Sequence, residues 1–166
     1  MHSDLEQARN VLREALAGVT PDQADRSING AWSIANIVEH LDLTFTRNAA
    51  GIARRLEKPD APVRRRSLKQ AVARMVIIGV GYLPSGRKSP DQVVPQGRPL
   101  AEVAAAIESH LEELDKVLSE GERVLGANRA VLDHPIVGPF SVADWRRFHL
   151  VHTRHHAKQI QSRRSL

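Results

Sequence analysis

The sequence predicts an all-α protein, a four-helix bundle carrying one additional short helix. Three observations lead there. Apolar residues recur with helical spacing over most of the chain, and no strand-like alternation persists. Ser or Thr stands at the start of several such stretches, with Pro and Gly between them. The chain has 166 residues and no cysteine. That is the length of one domain, 1–166, able to bury roughly 70% of its extended surface without disulfide staples.

The elements follow in order. Leu5, Ala8, Leu12, Ala15, Leu16 and Val19 form the stripe of a first helix. Thr20-Pro21-Asp22-Gln23 has the spacing of a capping box with Pro at the first helical position, which predicts a short turn of helix. Asn29-Gly30 is a turn signal. Ser33 caps a long helix running to about Glu57, with Ile37, Leu41, Phe45, Ile52 and Leu56 on one face, and Pro59 and Pro62 end it. Ser67 caps a helix through Val80, with Leu68, Ala71, Val72, Met75 and Val76 expected inward. Residues 81–99 contain Pro84, Pro90, Pro95 and Pro99 and read as a long connection, either a lid or an ordered surface segment. Leu100, Val103, Ile107, Leu111, Leu114 and Leu118 mark a further helix ending near Gly126. Asp133-His134-Pro135 and Gly138-Pro139 break the chain, and Ser141 caps a last helix to about Arg163.

Composition removes several function classes. Without cysteine there is no thiolate zinc site and no cysteine nucleophile, so a metal must be held by His, Asp, Glu or water. The N-terminus lacks the pattern of a signal peptide, and the apolar run Met75–Val80 is too short to span a bilayer, so a cytoplasmic protein with no membrane partner is expected. The net charge is +5, with basic clusters at Arg64-Arg65-Arg66 and Arg163-Arg164. Aromatics are only 4% of the chain. Stacking platforms for bases are therefore scarce, and a solvated surface is preferred over nucleic-acid binding.

The chemistry concentrates in His149-Leu150-Val151-His152-Thr153-Arg154-His155-His156, which holds four of the eight histidines. At about 100° per residue, positions 149, 152 and 156 share a helical face and 155 points elsewhere. His152 and His156, spaced i and i+4, can converge on one ion. A third ligand should come from another helix, and His40, beside Ile37 and Leu41, is the best candidate. His149 shares the ligand face and stands as an alternative ligand or a supporting residue. His110 lies alone at the edge of its stripe, and His134 and His2 sit in loop and terminal settings. Glu39 and Asp42 flank His40 and are candidate acid/base or imidazole-orienting groups, against the plainer reading of surface carboxylates. Arg147 and Arg154 are candidates to attract an anion, against exposed helix charges.

Two separated blocks resemble the DinB-like superfamily of bacterial metal-binding four-helix bundles. One is Ala31-Trp32-Ser33-Ile34 followed by Val38-Glu39-His40-Leu41. The other is Trp145-Arg146-Arg147-Phe148-His149 leading to His152-Thr153-Arg154-His155-His156-Ala157-Lys158-Gln159-Ile160. The resemblance implies an up-down-down-up bundle, a homodimer, and a divalent ion, zinc or nickel, on the triad His40, His152 and His156. It places His155 in the motif without a ligand role, and Gln159 as a supporting or packing residue. It implies a metal-dependent enzyme with an unidentified small-molecule substrate, either a transferase using a low-molecular-weight thiol or a hydrolase. A non-enzymatic metal-binding or interaction module is the alternative, and a nucleic-acid binder a weaker one.

Overall fold

The computed structural model describes residues 1–27, 29–84 and 88–165. It is mostly helical, as the periodicity predicts. The elements are α1 (Ser3–Leu16), α2 (Pro21–Asp25), α3 (Ile34–Leu56), α4 (Leu68–Arg74), a π-helical stretch (Met75–Val80), a 3-10 turn (Asp91–Val93), α5 (Leu100–Leu125), β1 (Ala130–His134), β2 (Gly138–Ser141) and α6 (Val142–Arg164). The four capping residues read from the sequence all act as such. Thr20, Ser33, Ser67 and Ser141 each accept a backbone N–H three residues on, and the side chain at that position returns the bond.

α3 packs along α5, and α1 along α6. Leu5, Leu12, Ile37, Leu41, Phe45, Leu111, Leu114, Leu118 and Ile160 fill the space between these helices and are nearly solvent-free. Burying each contributes about 1.5–3 kcal/mol. Among the described residues no helix is long and apolar enough to cross a membrane.

Two features differ from the sequence expectation. The first is the face of the helix after Ser67. Leu68, Val72 and Met75 are 88%, 58% and 59% exposed, Ala71 is exposed too, and Val76 is only half-buried. The inward face is Gln70, Arg74 and Ile77, again at helical spacing. Arg74 reaches the carboxylate of Asp144, which is nearly sealed from water, and Gln70 lies against the backbone of Gly138. A buried carboxylate needs a cation more than an exposed apolar stripe needs cover, so the ion pair sets the rotation of the helix. The α-helix also yields to a π-helical turn at Met75, closed by left-handed Gly81.

The second is the antiparallel hairpin β1–β2, where the prolines and glycine predict only a break. Every residue of β2 is buried, so no alternation marks it as a strand. Gly138 is required at its start. Its φ is +76°, and a Cβ there would stand 2.7 Å from the Gln70 amide. The hairpin runs directly into α6, and the Trp145 indole N–H donates to the Leu132 carbonyl 3.2 Å away, tying the two together.

Candidate metal centre

His40 projects from α3 two turns after its cap, and His152 and His156 from successive turns of α6. All three are buried. Their ligating atoms lie within 4.8 Å of one another. Nε2 of His152 is 3.2 Å from Nε2 of His40 and 3.0 Å from Nε2 of His156. The rings meet edge-on, at 77°, 64° and 79° in the three pairs, so the three nitrogens converge.

The outer nitrogens decide what that convergence means. Nδ1 of His40 lies 2.8 Å from the Val93 carbonyl oxygen, which can only accept, so the His40 proton sits on Nδ1. Nδ1 of His156 is 2.8 Å from Oε1 of Gln159, and the amide nitrogen of Gln159 donates to Nε2 of His155 at 3.2 Å. His156 therefore also carries its proton on Nδ1. Two Nε2 lone pairs point at the same spot with no hydrogen between them, and His152 can donate to only one. A cation satisfies all three, so the residues present fit a divalent ion held by neutral imidazoles. Burial, the largest cause in each case, holds them neutral. It lowers His40, pushes His156 down to about 3, and puts His152 well below its ordinary range.

The three histidines stand in the wall of a cavity of about 720 Å³. Trp32, Ile77, Trp145 and Phe148 supply much of its apolar lining, and Phe148 stacks on the His152 ring. Arg47 and Lys88 bring positive charge, and among the described residues no carboxylate lines it. The size suits a small organic molecule.

The remaining candidates fall elsewhere. His149 is fully buried, and its Nε2 lies 3.4 Å from the Asn48 amide nitrogen, outside the triad. Glu39 and Asp42 are neither surface carboxylates nor partners of an imidazole of the triad. Glu39 is fully buried and accepts backbone N–H bonds from Gln96, Gly97 and Arg98 at 2.9, 2.9 and 3.1 Å. Asp42 pairs with Arg98 at 3.0 Å and with Nδ1 of His110 at 2.6 Å. Arg154 donates to Gln7, and Arg147 lies 3.9 Å from Asp4, so neither lines the cavity. Arg47 and Lys88, which do, carried no motif to single them out.

Glu39 also ties down the C-terminal part of the 81–99 connection. Three backbone donors on one carboxylate anchor residues 96–98, and the same segment presents the Val93 carbonyl to His40. Glu39→Ala is expected to weaken metal binding by about 10- to 100-fold, as loss of a ligand-orienting hydrogen bond does. Zinc titration calorimetry checks this. Unchanged affinity would show that the segment holds its place without Glu39.

The family comparison agrees with this geometry. The model of the DinB superfamily matches residues 4–160. No match to the chain was found among curated proteins or solved structures. With its helical bundle and the match running over nearly its whole length, the chain belongs to the DinB superfamily.

Proposed function

We propose that the protein is a divalent-metal-dependent enzyme, a thiol transferase in preference to a hydrolase. The observation that carries this reading is the trio of converging Nε2 atoms, two with their protons committed elsewhere, on the wall of an open apolar cavity. A divalent ion such as zinc or nickel, held by His40, His152 and His156, supplies charge that lowers the pKa of a thiol or a water in its open position.

The protein residues favour the thiol. Attack by water calls for a base to take its remaining proton. Among the described residues no carboxylate lines the cavity, and the accessible neighbour His155 already has its Nε2 engaged by Gln159. Attack by a thiolate calls for no such base. Trp32, Trp145 and Phe148 offer an apolar wall for an electrophile. Arg47 favours a ligand bearing negative charge, while the Lys88 ammonium lies 3.9 Å from Asp91.

A non-enzymatic module would be better served by a site closed by protein ligands, and this one opens on a cavity. The basic clusters are partly committed within the fold, which leaves little for nucleic acid. Arg66 bonds the Pro139 carbonyl, Arg163 the Trp32 carbonyl at 3.2 Å, and Arg164 the Ala15 carbonyl at 3.2 Å. A homodimer, as the resemblance implies, would find an apolar surface in the outward stripe of Leu68, Val72 and Met75.

The test is turnover by zinc- or nickel-loaded protein with an aryl halide and a panel of cysteine-containing small thiols, beside ester and amide substrates. Thiol consumption that requires both metal and protein is the expected result. Ester or amide cleavage without thiol transfer would move the assignment to a hydrolase. Bound metal with no turnover in any assay would favour the binding module.

A further inference from the structure

A fifth histidine faces the same cavity, and the triad does not use it. His134 ends β1 at the hairpin turn. Its Nδ1 accepts backbone N–H bonds from Ile136 at 3.2 Å and Val137 at 3.3 Å. A ring nitrogen that receives two N–H groups carries no hydrogen of its own, so the neutral ring holds its proton on Nε2. The ring is clamped by aromatics. Phe148 meets it edge-on at 4.8 Å between centroids, and Phe140 lies at 5.2 Å. Nε2 has no hydrogen-bond partner among the described residues, and it is not one of the polar atoms sealed from solvent.

The turn consumes only Nδ1. An Asn or Asp at this position would accept the same backbone bonds through a side-chain oxygen. What histidine adds is a second nitrogen bearing a hydrogen, on a ring held between aromatic side chains in the cavity wall. Protonating the ring would place a hydrogen on Nδ1 against two backbone donors. Burial works in the same direction and pushes the group down to about 4, so the donor persists unchanged through neutral pH. A neutral imidazole held this way is a hydrogen-bond donor without a charge.

We propose that His134 binds the substrate, its Nε2–H donating to an oxygen of an apolar-bodied organic molecule, a carboxylate or a carbonyl compound. The assignment rests on the cavity being a substrate site, and not on which reaction occurs there. The cavity chemistry supports the oxygen acceptor. Its apolar walls suit the body, Arg47 brings a cation, and no carboxylate among the described residues lines the wall, Asp91 standing outside it 3.9 Å from the Lys88 ammonium.

The test needs no turnover. Three probes share one aromatic body: 4-phenylbutanoate, 4-phenyl-2-butanone, and butylbenzene, which has no acceptor. Their affinities are measured by NMR titration for the wild type and for His134→Asn, which keeps the turn acceptor, and His134→Phe, which keeps the aromatic packing. Both variants are expected to lose about 3- to 10-fold for the ketone or about 10- to 100-fold for the carboxylate. Butylbenzene binding should change little. Whichever oxygen probe loses more identifies the acceptor. In the wild type, long-range proton–nitrogen correlation should show the Nε2–H form, with that nitrogen shifting as the oxygen probe binds. Equal losses for all three probes, no binding of the oxygen probes, or an Nδ1–H form would overturn the proposal. Zinc stoichiometry is measured on the same samples. Unchanged stoichiometry with selective loss of the oxygen probe supports the His134 assignment, whereas absence of zinc binding in the wild type counts against the metal reading alone.

Discussion

His152→Ala is expected to lower divalent-metal affinity by roughly 100-fold or more, because loss of a mere ligand-orienting partner already costs about 10- to 100-fold. His40→Ala and His156→Ala should do the same. The three Nε2 atoms form one convergent set, and no other side chain belongs to it among the described residues. His149→Phe is the decisive control. It shares the helical face of His152 and His156, yet its Nε2 faces Asn48 and its ring packs against Phe45 and Trp145. That variant should bind metal as the wild type does. The measurement is metal content after dialysis, followed by zinc titration, on protein prepared without a polyhistidine tag or nickel resin. Circular dichroism shows whether each variant is folded. Retention of metal by folded His40→Ala, or its loss from folded His149→Phe, would sink the triad. The same ligation gives a stability readout. An ion that binds the native state at 1,000 times its dissociation constant stabilises it by about 4 kcal/mol, and the ligand variants should forfeit that gain.

The metal-free protein is expected to lose stability steeply as pH falls from 6.5 towards 4. His134 and His149 are held neutral by burial, with pKa values pushed down to about 4 and about 3. In the unfolded chain both take up a proton near their ordinary 6.5. Between those limits the unfolded state binds more protons, so stability rises with pH and is lost as pH falls. At about 1.4 kcal/mol per pKa unit, each group removes about 3 kcal/mol by pH 4. The triad shifts in the same direction and adds to the loss. Whole domains have only about 5–15 kcal/mol to lose. Urea unfolding at pH 7 and pH 4.5, with a chelator present, measures the difference. His149→Phe should reduce the pH slope by about one proton in this range. A stability that does not change between the two pH values would contradict burial of these neutral rings.

Much of the scaffold was legible because its signals are local. Thr20, Ser33, Ser67 and Ser141 start helices through bonds spanning three residues, so their spacing in sequence suffices. The His152–His156 pair is legible for the same reason, since i and i+4 on a helix are neighbours wherever the helix lies. His40 needed two inferences, its place beside an apolar stripe and the resemblance of its block. The carboxylates beside it were less readable. Glu39 and Asp42 look like surface charges in one dimension, and their partners stand more than fifty residues away, at Gln96, Gly97, Arg98 and His110.

The sequence by itself determined where the long helices run and that His152 and His156 stand one turn apart on the last of them. Each of those rests on interactions within about one turn or on a spacing that the helix preserves. Only the tertiary structure decided which face of the Ser67 helix turns inward, because buried Asp144 claims Arg74 from another element. Only the tertiary structure turned His149 towards Asn48, outside the cluster of three imidazoles, and brought His134 into the cavity wall, through the packing of α3 and the hairpin against α6. Helical periodicity reports a residue's angle about its own axis. Which neighbour that angle meets depends on how separate elements pack, and there the cost of an unpartnered buried charge outweighs the pattern of the apolar stripe.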